Sequence, residues 1–136
     1  MEPDIIIIIV QNLSQELFVH QRSANKKMFP LFYGLGAGGY IESGEAPAQA
    51  AKRELKEELD IDNEVEPLFS FHFASKEVTH NVHVFKTMYD GDLTPSVEFQ
   101  WSGWMSLREV DRLATENKLC PDTKVLYEKW KGKYLT

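Results

Sequence analysis

Two short stretches, GYIESGE at residues 39–45 and RELKEE at residues 53–58, carry most of the information about the fold of this chain. The second stretch lies within residues 48–59, a run of alanine, glutamate, lysine and leucine, which are strong helix formers. Ala46 and Pro47 precede this run, and proline suits the first helical position because its missing N–H would have no partner there. The sequence therefore predicts a helix over residues 48–59.

Three glutamates of this helix, Glu54, Glu57 and Glu58, stand at i, i+3 and i+4 and share one face. The apolar residues of the helix fall on the neighbouring arc and are expected to face the core. A ridge of like charges beside an apolar stripe needs a positive partner. Arg53, which can reach Glu57 or Glu45, is one candidate, and a divalent cation such as Mg²⁺, which prefers oxygen ligands, is the other. A solvated face balanced by the basic residues of the helix is the alternative.

The remaining chain mixes predicted strands and helices. The β-branched run at residues 5–10 predicts a strand that is covered on both faces. Further strands are predicted at residues 16–22, 67–74, 81–89 and 99–105, with a long loop at 23–35. A helix capped by Ser106 and Glu109 should end at Thr115, and a last helix should run over residues 121–131. This order predicts an α/β fold, a mixed sheet covered on both faces by helices.

Composition limits the classes of partner. The 136 residues suit one domain, and 15 basic against 21 acidic residues give a net charge of −6. This charge argues against a nucleic acid polymer or an anionic membrane, since both attract basic surfaces. The apolar run at residues 5–10 is too short to span a membrane, and we expect no signal peptide because no basic segment or cleavage site precedes it. The single cysteine, Cys120, favours a reducing compartment such as the cytoplasm.

The spacing over residues 39–61 resembles the signature of the Nudix hydrolases, which reads G, five residues, E, seven residues, R-E-U-x-E-E-x-G-U, where U is apolar. The matching residues are Gly39, Glu45, Arg53, Glu54, Leu55, Glu57, Glu58 and Ile61. The departure is Asp60, where the family usually has a glycine that ends the helix in a left-handed conformation. Aspartate tolerates this conformation better than most residues, so we expect Asp60 to affect the helix end and not the chemistry.

This resemblance implies the α/β/α sandwich of the family, a mixed β-sheet between helices, for a single domain over residues 1–136. It also implies a hydrolase that depends on Mg²⁺ or Mn²⁺. In such an enzyme, metal-bound water attacks phosphorus and cleaves a phosphoanhydride in a nucleoside diphosphate linked to another moiety. The site residues that the resemblance implies are a set of metal ligands (Glu54, Glu57, Glu58 and the backbone carbonyl at Gly38 or Gly39) and a supporting pair (Arg53 and Glu45). Glu57 either binds metal or orients the water, and Glu98 is either a ligand or the general base.

Substrate contacts are expected from the variable loops at residues 22–35, 75–81 and 89–98. Within them, Arg22, Lys26 and Lys27 form a basic cluster, of which Arg22 and Lys27 are our candidates for phosphate binding, and His80 is a candidate substrate contact. A solvated loop is the alternative for the basic residues. Trp101 is expected in the core, and Cys120 is expected to lie far from the motif and to be unreactive. The sequence leaves the oligomeric state open, and a homodimer is one option.

Two other functions compete with hydrolysis. Residues 17–23, with Lys27 and the Phe-Pro pair at 29–30, resemble the Nudix branch that includes isopentenyl diphosphate isomerase. That isomerase needs a cysteine before the glycine that opens the motif, and here Gly38 holds that place, while Tyr40 replaces the histidine that follows. An isomerase is therefore the less favoured alternative. A catalytically silent domain that senses a nucleotide is the other alternative, and the full set of glutamates argues against it.

Overall fold

A computed structural model describes residues 2–134 of the chain. The strands in this part of the chain are β1 (Asp4–Gln11), β2 (Leu17–Gln21), β3 (Tyr33–Leu35), β4 (Ala37–Tyr40), β5 (Glu66–Ala74), β6 (Thr79–Met88) and β7 (Trp101–Met105). The helices are α1 (Pro47–Leu59), α2 (Leu107–Thr115) and α3 (Pro121–Tyr134). No helix among residues 2–134 has the length and apolar character needed to cross a membrane.

All seven strands belong to one mixed sheet, whose main path runs β3-β2-β1-β6-β5. Strand β1 is central: it pairs in parallel with β6 and antiparallel with β2 and β4. Its residues from Ile6 to Gln11 are all buried. The prediction of a strand covered on both faces is therefore confirmed, and β1 forms the middle of the core.

Helices cover both faces of the sheet. On one face, α1 contributes Ala50, Ala51, Leu55 and Leu59, which are fully buried against the even-numbered isoleucines of β1. On the other face, α2 and α3 pack against the sheet, and Trp130 is 1% exposed. This arrangement confirms the predicted α/β sandwich and leaves the glutamate face of α1 outside the apolar contact.

The ends of α1 and α2 agree with the sequence predictions. Pro47 lies in the first turn of α1, and Asp60, which follows its last residue, has φ 55° and ψ 39°, the left-handed conformation expected there. Ser106 and Glu109 form the predicted capping box of α2, because Ser106 Oγ accepts from the Glu109 N–H and Glu109 Oε1 accepts from the Ser106 N–H. These ends are fixed by contacts within a few residues of sequence.

Several strand predictions were wrong in extent. Residues 33–35, predicted as part of a long loop, form β3 and pair with β2, and the glycine in this short strand hides the usual alternation. Strand β7 begins at Trp101 and not at residue 99, because the Phe99 N–H closes a turn onto the carbonyl of Ser96.

Trp101 is 42% exposed, which contradicts its predicted core position, and its ring packs edge-on against Tyr33. Helix α3 also continues three residues further, to Tyr134.

Candidate active site

A cavity of about 420 Å³ lies where β1, β4 and the C-terminal half of α1 meet several loops. Glu58 and Glu98 line it with carboxylates, and Arg22 and Lys26 line it with cations. Gly38 and Gly39 of β4 form part of its wall with backbone alone. A cavity that combines an acidic wall with basic side chains can accept an anionic ligand together with a cation.

Glu58 is a largely buried carboxylate at the wall of this cavity. Its Oε1 accepts a hydrogen bond of 2.8 Å from the Gly38 N–H. Burial raises the pKa of Glu58 to about 7; the Gly38 hydrogen bond opposes this shift, and the nearby charges of Glu54, Glu57 and Glu98 add to it. Among the residues that the structure describes, Glu58 has no cationic partner. A positive charge placed beside it would therefore be strongly stabilised.

Glu54 packs directly on β4. A Cβ atom built on Gly39 would lie 2.6 Å from both Cδ and Oε1 of Glu54, so glycine at this position leaves room for the carboxylate where it stands. Burial raises the pKa of Glu54, and the hydrogen bond from Arg53 opposes that shift. This close packing places the Glu54 carboxylate beside the backbone of β4.

Arg53 connects the motif loop to the helix. Its Nε and Nη2 donate to the two carboxylate oxygens of Glu45 at 2.8 and 3.0 Å. Its Nη1 donates to Glu54 at 2.8 Å and to Glu57 at 3.3 Å, and its Nη2 also reaches the carbonyl of Tyr40 at 3.1 Å. These bonds raise the pKa of Arg53 and lower the pKa of Glu45. Arg53 is thus one positive partner of the glutamate ridge, as the sequence predicted.

The glutamates fit a divalent cation by their chemistry, although they are not gathered into a finished site. Residues 2–134 contain no group of three or more His, Cys, Asp or Glu side chains arranged to hold a metal ion. The available donors are carboxylate and backbone oxygens, the type that Mg²⁺ and Mn²⁺ prefer. Glu58 is free of Arg53, whereas Glu54 and Glu57 are bonded to it. A cation could therefore bind beside Glu58 and compete with Arg53 for the Glu54 carboxylate.

The predicted substrate residues are only partly brought together. Arg22 and His80 line the cavity, and so does Lys26, whereas Lys27 is exposed and is not among the lining residues. Lys26 lies in a turn in which its N–H bonds to the carbonyl of Ser23. The substrate roles of these residues stay predictions.

Sequence reasoning missed the contribution of α3. Asp122 lines the cavity and its Oδ2 lies 2.9 Å from Nε2 of His80, although the two residues are 42 positions apart. In the sequence, Asp122 is an ordinary acidic residue in the first turn of a helix, so no local signal marks it. Cys120 also lines the cavity, so the prediction that it lies far from the site was wrong. Burial raises the pKa of its thiol to about 12, which agrees with a low reactivity.

Comparison with known proteins identifies the family. The NUDIX domain model matches residues 1–127. A Nudix hydrolase of Streptomyces coelicolor, itself described as uncharacterized, is 31% identical over 123 residues, which are 85% of this chain and 68% of that protein. The chain spans between 32% and 59% of the length of the other curated relatives it matches. The chain therefore belongs to the Nudix hydrolase family, which confirms the resemblance seen at residues 39–61.

Solved structures agree with the fold. The MutT protein from Methanosarcina mazei Go1 superposes with a TM-score of 0.83 at 20% identity, over 99% of this chain and 96% of that one. The NUDIX domain of Shewanella oneidensis NrtR, complexed with ADP ribose, superposes with a TM-score of 0.78 at 18% identity, over 100% of this chain and 90% of that one. These likenesses confirm the α/β architecture. The similarity to the isomerase branch stays a prediction.

Proposed function

We propose that this chain hydrolyses a phosphoanhydride bond in a nucleoside diphosphate linked to another moiety, with Mg²⁺ or Mn²⁺ as cofactor. The observation that carries the proposal is the placement of Glu58, which lines a cavity, is held by the Gly38 N–H and has no cationic partner among residues 2–134. Membership of a hydrolase family and the likeness to a domain that was complexed with ADP ribose support it.

Glu54, Glu57, Glu58 and the backbone carbonyl at Gly38 or Gly39 are the groups that would hold the cation. A bound divalent cation supplies positive charge that polarises a phosphoryl oxygen and lowers the pKa of water. Arg53 keeps the glutamates and the motif loop in one arrangement through its bonds to Glu45 and Glu54. Because Arg53 already holds these carboxylates close together, they need to move less before they bind the cation.

Two carboxylates were candidates to take the proton from the attacking water. Glu57 is 57% exposed and bonded to Arg53, whereas Glu98 lines the cavity that Glu58 also lines. A general base must come within hydrogen-bond reach of the water, directly or through one further water. We therefore favour Glu98 as the base and Glu57 as a cation ligand.

The other cavity residues would bind the organic part of the substrate. Arg22 and Lys26 offer positive charge to phosphate oxygens, and the pair of His80 and Asp122 offers hydrogen bonds in a protected wall. Bound cations and these basic side chains together reconcile an anionic substrate with a protein of net charge −6. We include a cytoplasmic location in the proposal, with which the buried thiol of Cys120 is consistent. A homodimer is one option for the oligomeric state.

A panel of diphosphate compounds tests the proposal. ADP-ribose, nucleotide sugars, dinucleoside polyphosphates and nucleoside triphosphates should be incubated with Mg²⁺ or Mn²⁺, and the released phosphate and mononucleotide measured. We expect hydrolysis of at least one class, its loss in Glu58→Gln, and its retention in Glu64→Gln, which alters an exposed glutamate outside the cavity. Equal rates for the wild type and Glu58→Gln on every compound would contradict the proposal.

The same panel addresses the alternatives. A silent nucleotide sensor would bind a compound tightly without turning it over, which calorimetry would detect. An isomerase would shift a proton of isopentenyl diphosphate, which NMR would detect. The structure offers one observation against the isomerase: a Cβ built on Gly38 would lie 2.7 Å from the carbonyl oxygen of Ile6, so a cysteine does not fit there without a backbone shift.

A further inference from the structure

A stacked pair of rings borders the cavity. His20 of β2 and Phe99, which precedes β7, have ring centroids 4.3 Å apart and planes 9° from parallel. Both rings line the same cavity as Glu58 and Glu98. The pair thus joins the rigid sheet to a segment that has little regular structure.

His20 is the fixed member of the pair. Its Nδ1 donates a hydrogen bond of 2.8 Å to the carbonyl of Gly36, which sets the ring orientation. Gly34 on the adjacent strand lies close beside the ring, since a Cβ atom built there would come within 2.6 Å of Nε2. A ring that is hydrogen-bonded and closely packed in this way is held in one orientation.

Phe99, the other member of the pair, belongs to residues 90–100, which form neither helix nor strand. Backbone hydrogen bonds tie this segment at two points, from Ser96 N–H to the Glu58 carbonyl at 2.7 Å and from the residue 100 N–H to Gln21 at 2.9 Å. Glu98 lies between these ties, and its carboxylate has no ion-pair partner among residues 2–134. The Glu98 N–H donates to Ser96 Oγ at 3.2 Å, and the stack holds the next residue, Phe99, against His20 of the sheet.

We propose that the His20–Phe99 stack is a positioning device that keeps the Glu98 carboxylate at the cavity beside Glu58. His20 fixes the Phe99 ring, and Phe99 fixes the backbone of its neighbour Glu98. The inference rests on the proposed function, because Glu98 acts only in a hydrolytic site. His20 and Phe99 are positioning residues and do not themselves transfer a proton.

A double-mutant cycle with Glu98→Gln tests this inference. Phe99→Leu removes the aromatic ring and Phe99→Tyr keeps it, while His20→Asn keeps a side-chain N–H donor but removes the imidazole. We expect Phe99→Leu and His20→Asn to lower kcat by about 10- to 100-fold with little change in KM, the cost of a misplaced catalytic group. In the Glu98→Gln background they should lower kcat no further, and Phe99→Tyr should stay close to the wild type.

Hydrogen–deuterium exchange of the substrate-free protein provides a readout that needs no activity. Phe99→Leu and His20→Asn should speed exchange at residues 96–100 and leave α1 unchanged, while Phe99→Tyr should not alter it. If Phe99→Leu fails to fold, His20→Asn carries both tests. The inference is overturned if Phe99→Leu and His20→Asn lower kcat as much in the Glu98→Gln background as in the wild type. It is also overturned if these variants change KM alone, or if they leave exchange at residues 96–100 unchanged.

Failure of this inference is distinguishable from failure of the proposed function. If the wild type hydrolyses a diphosphate and Glu58→Gln does not, the proposed function stands even when the double-mutant cycle is additive. If the wild type hydrolyses nothing in the panel, the proposed function fails, and the assignment of Glu98 to a hydrolytic site fails with it. The exchange experiment then reports only whether the stack orders the segment.

Discussion

The carboxylate of Glu54 occupies the space that a side chain at Gly39 would need, with a built Cβ only 2.6 Å from Glu54 Cδ. Helix α1 and strand β4 therefore approach so closely that a side chain at residue 39 would force the Glu54 carboxylate to move from its present place. The glycine that opens the Nudix motif and the first glutamate of its acidic helix are linked here by direct packing.

Gly39→Ala should displace the carboxylate of Glu54, which we propose as a metal ligand, and lower kcat/KM by about 10- to 100-fold, the usual cost of disturbing the support of such a ligand. Gly132→Ala is the matched control, because a Cβ at Gly132 meets nothing within 4 Å. In the helix α3 it should raise the free energy of unfolding by about 0.5–1 kcal/mol and leave activity unchanged. Steady-state kinetics and urea unfolding measure both effects. Full activity in Gly39→Ala would show that the position of Glu54 is unimportant.

Arg53→Lys should lower activity although it keeps the charge. A lysine cannot reproduce the two parallel bonds to Glu45 and also reach Glu54, so the motif loop and the helix lose their common partner. We expect a loss of about 10- to 100-fold in kcat/KM. Lys52→Arg, which alters an exposed ion pair with Glu64, is the control and should behave like the wild type. A fully active Arg53→Lys enzyme would remove Arg53 from the site.

Divalent cations should stabilise the folded protein. A ligand present at 100 times its Kd adds about 2.7 kcal/mol to the free energy of unfolding. Thermal unfolding with Mg²⁺ or Mn²⁺ should therefore show a higher Tm than unfolding with a chelator. The increase should vanish in Glu58→Gln and persist in Glu64→Gln. The prediction fails if the cation raises the Tm of Glu58→Gln as much as that of the wild type.

His20 should make stability depend on pH. Burial lowers the pKa of folded His20 from 6.5 to about 4. Between these values the unfolded chain binds a proton that the folded chain does not, so stability is complete above pH 6.5 and falls as the pH drops toward 4. The free energy of unfolding of the wild type should fall relative to His20→Asn by about 3 kcal/mol over this range. A difference that is constant with pH would show that His20 is solvated.

Asp60→Gly should restore the glycine usual in the family without changing activity. The left-handed conformation at φ 55° is strained for aspartate and not for glycine. The gain is offset in part by loss of the exposed Lys56–Asp60 ion pair and by the greater freedom of unfolded glycine. We expect a change in unfolding free energy within about 1 kcal/mol, whereas Asp60→Ala should destabilise by about 1–2 kcal/mol. A change in kcat for Asp60→Gly would assign this position a role in the chemistry.

Local features of the fold were predictable from the sequence. The limits of α1, the capping box of α2 and the left-handed residue after α1 depend on contacts within a few residues. The contact of Arg53 with Glu57 also followed from spacing, because the helix puts positions four apart on one face, whereas the contact with Glu45 was implied by the family resemblance. β3 was missed because a three-residue strand that contains glycine gives no periodic signal, and Trp101 was misjudged because its exposure depends on the paired strand.

The sequence by itself determined the family, the acidic helix and the position of Arg53 on that helix. All three depend on one continuous stretch of 23 residues, and within it the helix fixes how the glutamates and the arginine are spaced. Only the tertiary structure decided which distant residues complete the cavity: His80 with Asp122, and His20 with Phe99. Those pairs are joined by the register of the sheet and by the packing of α3, both of which arise from the whole core and leave no local pattern in the chain.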